Sequence, residues 1–169
     1  MTELTEKDLE LIDAARRAII PNYDAERFMH TVGAAVRTAG GRIYAGINVY
    51  SVHGACAEQV ALGAALTAGE REFTDIVAVR GPEGAELLPP CGNCRQLLSD
   101  YAPNCRVIVP TPAGPRKVSA KELLPFAYGA KGIGEIATIP TAPAAQGAYY
   151  ARDHVLRTSL PMEHTFYKK

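Results

Sequence analysis

Apolar and polar residues alternate along the chain with a helical period in some segments and a strand period in others. Between residues 5 and 20 the apolar positions recur at helical spacing, with Thr5 as a candidate N-cap and Asp8 in the capping-box position. Apolar runs on either side of Gly40-Gly41 predict two strands joined by a turn. In chain order the pattern predicts a helix over 5–20, strands over 31–38 and 42–49, a helix over 55–67, a strand over 75–79, a helix over 91–101, a strand over 106–110 and a short helix over 121–124.

This order of elements predicts the fold class and the domain organisation. A strand hairpin followed by alternating helices and strands is typical of an α/β fold, here a three-layer α/β/α sandwich with a mixed sheet. The segment after residue 130 differs, because IATIPTAPAAQGAYY is rich in alanine, proline and threonine and has no clear period. We therefore expect one domain over 1–130 and an irregular C-terminal arm over 131–169 that is not an independent domain.

Composition and charge narrow the class of protein. The chain has 169 residues, of which 47% are hydrophobic and 21% are charged, as in ordinary globular domains. Eighteen basic and eighteen acidic side chains give a net charge of zero, so we expect a small-molecule substrate and no nucleic acid polymer as partner. No stretch approaches a membrane span and the start is too acidic for a signal peptide, so we expect no membrane partner and a cytoplasmic location.

The four cysteines carry the candidate chemistry. Cys56 opens one predicted helix, Cys91 and Cys94 lie at the start of another, and Cys105 precedes a strand. Free N–H groups and the positive dipole at a helix start favour thiolate over thiol, and residues three apart share one helix face. The thiolates of Cys56, Cys91 and Cys94 are three soft ligands for Zn²⁺, which leaves one tetrahedral position for water.

Glu58 adds a second chemical group to this candidate site. It is the acid nearest in sequence to a proposed ligand, and a carboxylate beside an activated water can carry a proton. We therefore predict Glu58 as the catalytic residue. The alternative is a closed structural zinc site, in which Cys105 or His53 supplies a fourth ligand and no water is activated. That alternative leaves Glu58 and the proline before Cys91 without a role.

The two halves of the pattern have a specific spacing. Cys-x-Glu followed about thirty residues later by Pro-Cys-x-x-Cys matches the signature of zinc-dependent nucleobase deaminases. With GRIYAGINV at 41–49 and PCGNCRQ at 90–96, the chain resembles the cytidine deaminase family. NVY at 48–50, GACAE at 54–58 and ELLP at 122–125 are more similar to blasticidin S deaminases than to ordinary cytidine deaminases.

This resemblance implies an assembly, a metal and a reaction. The α/β/α sandwich would form a homotetramer, and the helix faces do not distinguish this from a homodimer. Each subunit would hold one Zn²⁺ through Cys56, Cys91 and Cys94, with Glu58 as the proton shuttle. The reaction would convert the cytosine amine of a nucleoside or a nucleoside-like antibiotic such as blasticidin S to the uracil analogue, with release of ammonia.

The resemblance also assigns residues to the substrate. Asn48 would hydrogen-bond a sugar hydroxyl, and Tyr128 would line the pocket. Tyr50 stands where ordinary cytidine deaminases have a glutamate that holds the ribose, and His30 stands at the position of their stacking phenylalanine. These departures predict a pocket that is reshaped for a substrate other than plain cytidine.

Two further positions bear on the metal. The arginine that often follows the catalytic glutamate in the family is Gln59 here, and Arg95 is the candidate to offset the charge of three thiolates.

Three other functions stay open on the sequence. They are a zinc-stabilised nucleoside-binding protein without turnover, a deaminase of a different aminated heterocycle, and a polynucleotide deaminase, against which the zero net charge argues.

Overall fold

The computed structural model describes residues 4–127, so Tyr128 and the predicted arm over 131–169 lie outside the described residues. The domain boundary predicted at residue 130 stays a prediction. Within 4–127, no helix is long and apolar enough to cross a membrane. The elements in chain order are α1 (Glu6–Ile19), β1 (Val32–Thr38), β2 (Ile43–Ile47), α2 (Ala57–Thr67), β3 (Phe73–Arg80), β4 (Glu86–Leu88), α3 (Gly92–Tyr101), β5 (Arg106–Val109) and β6 (Arg116–Ser119).

The strands form one mixed sheet with β3 at its centre. Its order is β2-β1-β3-β5-β6, and β1 is antiparallel to both of its neighbours. β3 and β5 run parallel, whereas β5 and β6 are antiparallel. β4 pairs with β3 over residues 78–80, beyond the stretch 75–77 that pairs with β5. This sheet confirms the predicted fold class.

Helices cover both faces of the sheet, which gives the sandwich its three layers. Successive side chains of a strand point to opposite faces, so neighbouring residues of β1 and β3 serve two different cores. On one face, the core contains residues of α1 and of the sheet, namely Leu11, Ile12, Ala15, Ile19, Ala35, Val77, Val79 and Ile108. On the other face, the core contains residues of α2, α3 and the sheet, namely Ala34, Val36, Ala61, Leu62, Ala65, Ile76, Ala78, Leu98 and Val107.

Two strand glycines let these helices approach the sheet closely. A Cβ at Gly33 in β1 would lie 2.5 Å from the backbone oxygen of Ala15 in α1. A Cβ at Gly46 in β2 would lie 2.6 Å from the backbone nitrogen of Ala61 in α2. Both distances are far shorter than an ordinary van der Waals contact, so a side chain at either glycine would push a helix away from the sheet.

A buried ion cluster ties α1 to the sheet. Lys117 in β6 places its Nζ 2.7 Å from Oδ1 of Asp8 and 2.8 Å from Oδ1 of Asp75. Asp8 also accepts hydrogen bonds from the backbone N–H and the hydroxyl of Thr5, each at 2.8 Å. The capping-box prediction for this helix start is therefore confirmed, and the same carboxylate contacts a strand 109 positions along the chain.

The structure corrects the predicted elements at one place and adds two strands. Residues 121–124, predicted as a short helix, form turns in which the N–H of Leu123 donates to Ala120 and that of Leu124 to Lys121. Pro125 follows at once, and a helix seldom extends into the residue before a proline. β4 and β6, with three and four residues, were not predicted, because so few residues do not establish an alternating pattern.

Candidate active site

The starts of α2 and α3 bring three cysteines together. Cys56 is the N-cap of α2, Cys91 is the N-cap of α3, and Cys94 lies in the first turn of α3. The sulfur atoms of Cys56 and Cys91 are 3.6 Å apart, and all three sulfurs lie within 4.8 Å of one another. The spacing that predicted a common site therefore corresponds to a compact sulfur cluster.

Burial and hydrogen bonds from the helix start shift the pKa values of these thiols in opposite directions. Burial raises the pKa of Cys94 and, together with a hydrogen bond to Cys91, the pKa of Cys56. Burial alone would also raise the pKa of Cys91, but hydrogen bonds from the N–H groups of Asn93 and Cys94 and from Cys56 outweigh it, so this pKa is lowered. Free N–H groups at the start of a helix stabilise a thiolate in the same way.

The donor set fits Zn²⁺ in an open site. Thiolate sulfurs are soft donors that zinc prefers, and these three lie within 4.8 Å of one another. A tetrahedral zinc held by three sulfurs has one further position for another ligand. Within residues 4–127, neither Cys105 nor His53 belongs to this group. Cys105 is fully buried, and burial together with the Asp75 carboxylate raises its pKa to about 12, so it is an unreactive thiol. The described residues therefore do not form the closed site in which Cys105 or His53 is the fourth ligand.

Glu58 lies beside the sulfur cluster in the first turn of α2. Its side chain is buried, with the residue only 7% exposed, and burial raises the pKa of the carboxyl against a weaker opposing effect of a hydrogen bond with Cys94.

The residue after Glu58 has a structural role that its sequence position did not reveal. The side-chain oxygen of Gln59 accepts a hydrogen bond from the N–H of Cys56 at 2.8 Å, so Gln59 fixes the backbone of a predicted ligand.

A cavity of about 340 Å³ opens directly onto this cluster. Its lining comes from the ends of β1 and β2, the loop before α2, and the loop after β4: Val32, Asn48, Val49, Tyr50, Gly54, Ala55, Cys56, Ala57, Glu58, Leu88, Pro89 and Cys91. A larger cavity of about 500 Å³ lies at the carboxyl end of α3 between Arg71, Phe73 and Pro103, and none of the three clustered cysteines lines it. A third cavity, of about 690 Å³ and lined by His53 and Asn93 among others, is larger still and also lacks the three cysteines, so volume alone does not identify the site.

The comparison with known proteins identifies the family of the chain. The family model "Cytidine and deoxycytidylate deaminase zinc-binding region" matches residues 5–109, which is more than half of the chain. The chain belongs to this deaminase family. It is a zinc-dependent deaminase, and the sulfur cluster is the part of the structure that fits the metal. Binding without turnover is not favoured, because the similar proteins are themselves named as deaminases.

Individual relatives span most of the domain. A blasticidin-S deaminase from Bacillus cereus is 37% identical over 134 residues, which are 74% of this chain and 94% of that protein. The crystal structure of a cytidine deaminase from Burkholderia pseudomallei is similar with a TM-score of 0.60 and 34% identity, over 74% of this chain and all of the other. A cytidine deaminase from Mycobacterium leprae gives a TM-score of 0.58 and 28% identity, over 72% of this chain and 99% of that one.

The residues that family resemblance assigned to the substrate occupy different places. Asn48 and Tyr50 line the cavity. His30 does not line it, but its Nδ1 donates to the backbone oxygen of Asn48 at 2.8 Å from a backbone with a φ of 52°. Tyr128 lies outside the described residues. His30 therefore contacts the backbone of a cavity residue without lining the cavity itself. Its position in the sequence did not show whether it would line the cavity or support a residue that does.

Arg95, the predicted partner of the thiolates, forms hydrogen bonds with backbone oxygens. Its Nε donates to the oxygen of Pro90 at 2.9 Å and its Nη1 to that of Leu123 at 3.4 Å. These bonds hold the residue before Cys91 and the segment that follows β6 in fixed positions. The effect of its charge on the thiolates stays a prediction.

The sequence analysis missed the apolar part of the site. Val32 at the start of β1, Leu88 at the end of β4 and Pro89 complete the cavity wall. Leu88 and Pro89 could be placed only after β4 had been recognised as a strand that pairs with β3. The two prolines at 89 and 90, directly before Cys91, could have indicated this strand. The residue before a proline favours an extended backbone, as at the end of a strand.

Proposed function

We propose that the chain deaminates the cytosine ring of a nucleoside or of a nucleoside-like antibiotic such as blasticidin S. One observation carries this proposal. A cavity of about 340 Å³ has Glu58 and two members of the three-sulfur cluster, Cys56 and Cys91, in its lining, so a small aromatic ring in the cavity meets both kinds of group. The similarity to a blasticidin-S deaminase over 94% of that protein supports the choice of substrate class.

We propose Cys56, Cys91 and Cys94 as the zinc ligands and Glu58 as the catalytic residue. The three thiolates would hold Zn²⁺, which when bound would supply an activated water. The Glu58 carboxylate would accept one proton from the attacking water and pass it to the ring nitrogen next to the amine-bearing carbon, while the water oxygen bonds to that carbon. Glu58 would then take the remaining proton of the added hydroxyl and pass it to the amine, so that the C–N bond breaks, a C=O bond stays on the ring and ammonia leaves. Because Glu58 is buried, the carboxylate that moves these protons is shielded from bulk water.

The substrate-side assignments complete the proposal. Asn48 and Tyr50 would contact the sugar, because among the described cavity residues they are the two with polar side chains other than the cysteines and Glu58. We propose, from the family resemblance alone, that Tyr128 is a pocket-lining residue, and from its hydrogen bond that His30 contributes by holding Asn48. Arg95 would offset part of the negative charge of the three thiolates.

Ammonia release from defined substrates tests this proposal. Purified zinc-loaded protein would be assayed with cytosine, cytidine, deoxycytidine and blasticidin S, with the Glu58→Ala variant as control. We expect release from at least one nucleoside or nucleoside-like compound, less from free cytosine, and none with the variant. Release at the same rate by the Glu58→Ala variant, or no release from any compound by protein that holds zinc, would contradict the proposal.

We also propose that the enzyme acts in the cytoplasm as a homotetramer. Three reduced cysteines are needed at the metal, and the cytoplasm keeps thiols reduced. Exposed apolar side chains, among them Val52 in the loop before α2 and Phe126 after β6, support burial of apolar surface against another subunit. Light scattering of the purified protein would measure the subunit number, and a monomer or a dimer would contradict this assignment.

A further inference from the structure

The three clustered sulfurs differ in their access from the cavity. Cys56 and Cys91 both line the cavity of about 340 Å³, whereas Cys94 does not. Cys91 is exposed and Cys56 is partly buried, but Cys94 is 0% exposed. A small oxidant that diffuses into the cavity therefore meets two of the three sulfurs and is kept from the third. The thiolate that binds a metal is also the form of cysteine that peroxides oxidise.

The two accessible sulfurs are close enough to react with each other. Sγ of Cys56 and Sγ of Cys91 are 3.6 Å apart, although the residues are 35 positions apart along the chain. A disulfide bond is about 2.05 Å long, so side-chain rotation has to bring these sulfurs closer by about 1.5 Å. Such a bond would crosslink the starts of α2 and α3.

The positions of the cysteines in their helices favour this pair over the two cysteines of the C-x-x-C motif. Cys56 and Cys91 are N-caps with extended backbones, whereas Cys94 lies inside the first turn of α3. An N-cap residue has non-helical φ and ψ, so its side chain is free of the rotamer restriction that holds inside a helix. Cys94 is under that restriction and is also fully buried. Cys56 is therefore the better placed partner for an oxidised Cys91.

We propose that Cys56 and Cys91 form a redox-sensitive pair, which hydrogen peroxide in the cavity converts to a disulfide with loss of Zn²⁺ from the site. This proposal rests on the proposed ligands Cys56, Cys91 and Cys94 and adds a covalent modification to them. The disulfide removes two of the three thiolate donors, and zinc in proteins is held by three or four side chains. One remaining thiolate does not retain the metal, so deamination stops until the pair is reduced.

The chemistry takes place in two steps, with hydrogen peroxide as the oxidant. The Cys91 thiolate attacks one oxygen of the peroxide, the O–O bond breaks, and a sulfenic acid forms while hydroxide leaves and takes up a proton to become water. The Cys56 thiolate then attacks the sulfenic sulfur, so the S–S bond forms, the S–O bond breaks, and a second hydroxide leaves and becomes water. Two electrons have passed from the two sulfurs to the peroxide. A dithiol reductant reverses the bond by thiol–disulfide exchange.

Peptide mapping of the peroxide-treated, zinc-loaded enzyme tests the pair. The remaining thiols are blocked by alkylation, mass spectrometry identifies any crosslinked peptides, and a chromophoric chelator measures the zinc that is released. We expect a crosslink between Cys56 and Cys91, one Zn²⁺ released for each crosslinked chain, and full recovery with dithiothreitol and zinc. A crosslink between Cys91 and Cys94, zinc release without a crosslink, a Cys56–Cys91 crosslink that leaves the zinc bound, or no reaction would each overturn the proposal.

Two variants separate the pair from the other thiols. Cys105→Ala is the matched control, because it removes a cysteine that is 0% exposed and outside the cluster, and it should crosslink and release zinc as the wild type does. Cys56→Ser removes the partner of Cys91, so we expect no crosslink and oxidation of Cys91 onward to the sulfinic acid. A crosslink of Cys91 with Cys94 in this variant, formed as fast as the wild-type crosslink, would contradict the choice of Cys56.

Neither crosslink mapping nor zinc release needs turnover, so this proposal and the proposed reaction can fail separately. If the crosslink forms and zinc is lost from a protein that releases no ammonia from any compound, the reaction is wrong and the redox-sensitive pair stands. If the enzyme deaminates a substrate but peroxide leaves Cys56 and Cys91 unlinked, the reaction stands and the pair is wrong.

Discussion

At the scale of single residues, Glu58 joins the chemistry of the site to its position in a helix. It lies in the first turn of α2, two residues after Cys56, so the helix that positions a predicted zinc ligand also positions the proposed proton carrier. An acid at a helix start is favoured by the helix dipole even without a catalytic role. Its burial beside three sulfurs is what distinguishes Glu58 from an ordinary solvated acid of a first turn.

The Glu58→Gln variant tests this distinction with little change in shape. The amide cannot accept and return a proton as a carboxylate does, so we expect kcat to fall by about 10²- to 10⁴-fold. Zinc content, measured by metal analysis, should stay at the wild-type level because the three sulfurs are unchanged. The matched variant Glu72→Gln removes an acid far from the cluster and should keep wild-type turnover. Turnover of Glu58→Gln within a few-fold of the wild type would contradict the role of Glu58.

At the scale of the elements, close packing of α2 on the sheet fixes the position of the sulfur cluster. Gly46 in β2 faces the backbone of α2 near Ala61, in the same helix that begins at Cys56. A Cβ at this glycine would lie 2.6 Å from a backbone nitrogen, which cannot move without the helix. The strand glycine therefore contributes to the site although it is not part of it.

We expect Gly46→Ala to lower both stability and zinc affinity. Overpacking of a core contact costs about 1–3 kcal/mol, and displacement of α2 would move Cys56 away from Cys91. Gly63→Ala is the control within the same helix, because a Cβ there meets nothing within 4 Å. Alanine is a better helix former than glycine by about 1 kcal/mol, so this control should raise the free energy of unfolding. Urea denaturation and competition with a zinc chelator would measure the two effects.

The elements that sequence could predict are those with enough residues to show a period. Helix α1 was predicted with its cap, and the starts of α2 and α3 were placed within two residues, because Cys56 and Cys91 mark them. β4 was missed because its three residues gain their strand conformation from pairing with β3, which no local pattern records. The turns at 121–124 contain helix-forming residues, but from residue 122 onwards each backbone N–H there donates to the carbonyl oxygen of the third preceding residue, not of the fourth as in an α-helix.

The same reasoning explains which parts of the site could be predicted. The sulfur cluster followed from residue types and spacing, because helix geometry alone brings Cys91 and Cys94 to one face. The orientation of the Asn48 amide did not follow, since its Oδ1 accepts a hydrogen bond from the N–H of Val32, 16 positions away along the chain. The contact of His30 with a backbone oxygen was equally hidden, because it depends on a left-handed backbone that the sequence does not indicate at a histidine.

At the scale of the whole molecule, the ion cluster of Asp8, Lys117 and Asp75 joins the first helix to the last described strand. All three side chains are less than a tenth exposed. Burial alone would raise the pKa of Asp8, but the Lys117 ammonium and the two donors of Thr5 outweigh it and hold this pKa below its ordinary value. The charged form of Asp8 therefore stabilises the folded state.

This lowered pKa predicts how stability depends on pH. The contribution of Asp8 is present above the pKa of the unfolded chain, about 3.9, and is lost as the pH falls through the lower pKa of the folded state. We expect the free energy of unfolding to fall below about pH 4 in the wild type and to fall less in Asp8→Asn. Urea denaturation across this range measures both. An equally steep decline in the two proteins would contradict the role of Asp8.

Removal of Lys117 should lower the free energy of unfolding more than removal of one of the two acids. Lys117→Met leaves two buried carboxylates without their shared cation, which costs about 3–5 kcal/mol. Because protons neutralise an uncompensated negative charge, the deficit in unfolding free energy relative to the wild type should shrink as the pH is lowered. Thermal unfolding at neutral and acidic pH would show this, and a deficit that grows on acidification would contradict it.

The arrangement around Asn48 has an entropic consequence for substrate binding. An ordinary surface asparagine samples several rotamers, and fixing such a side chain on binding costs about 0.5–1.5 kcal/mol. Here Val32 holds the amide and His30 holds the backbone oxygen before any substrate arrives. Most of the conformational entropy of this side chain is therefore lost when the protein folds, so the proposed contact of Asn48 with the sugar would use a side chain that is already immobilised.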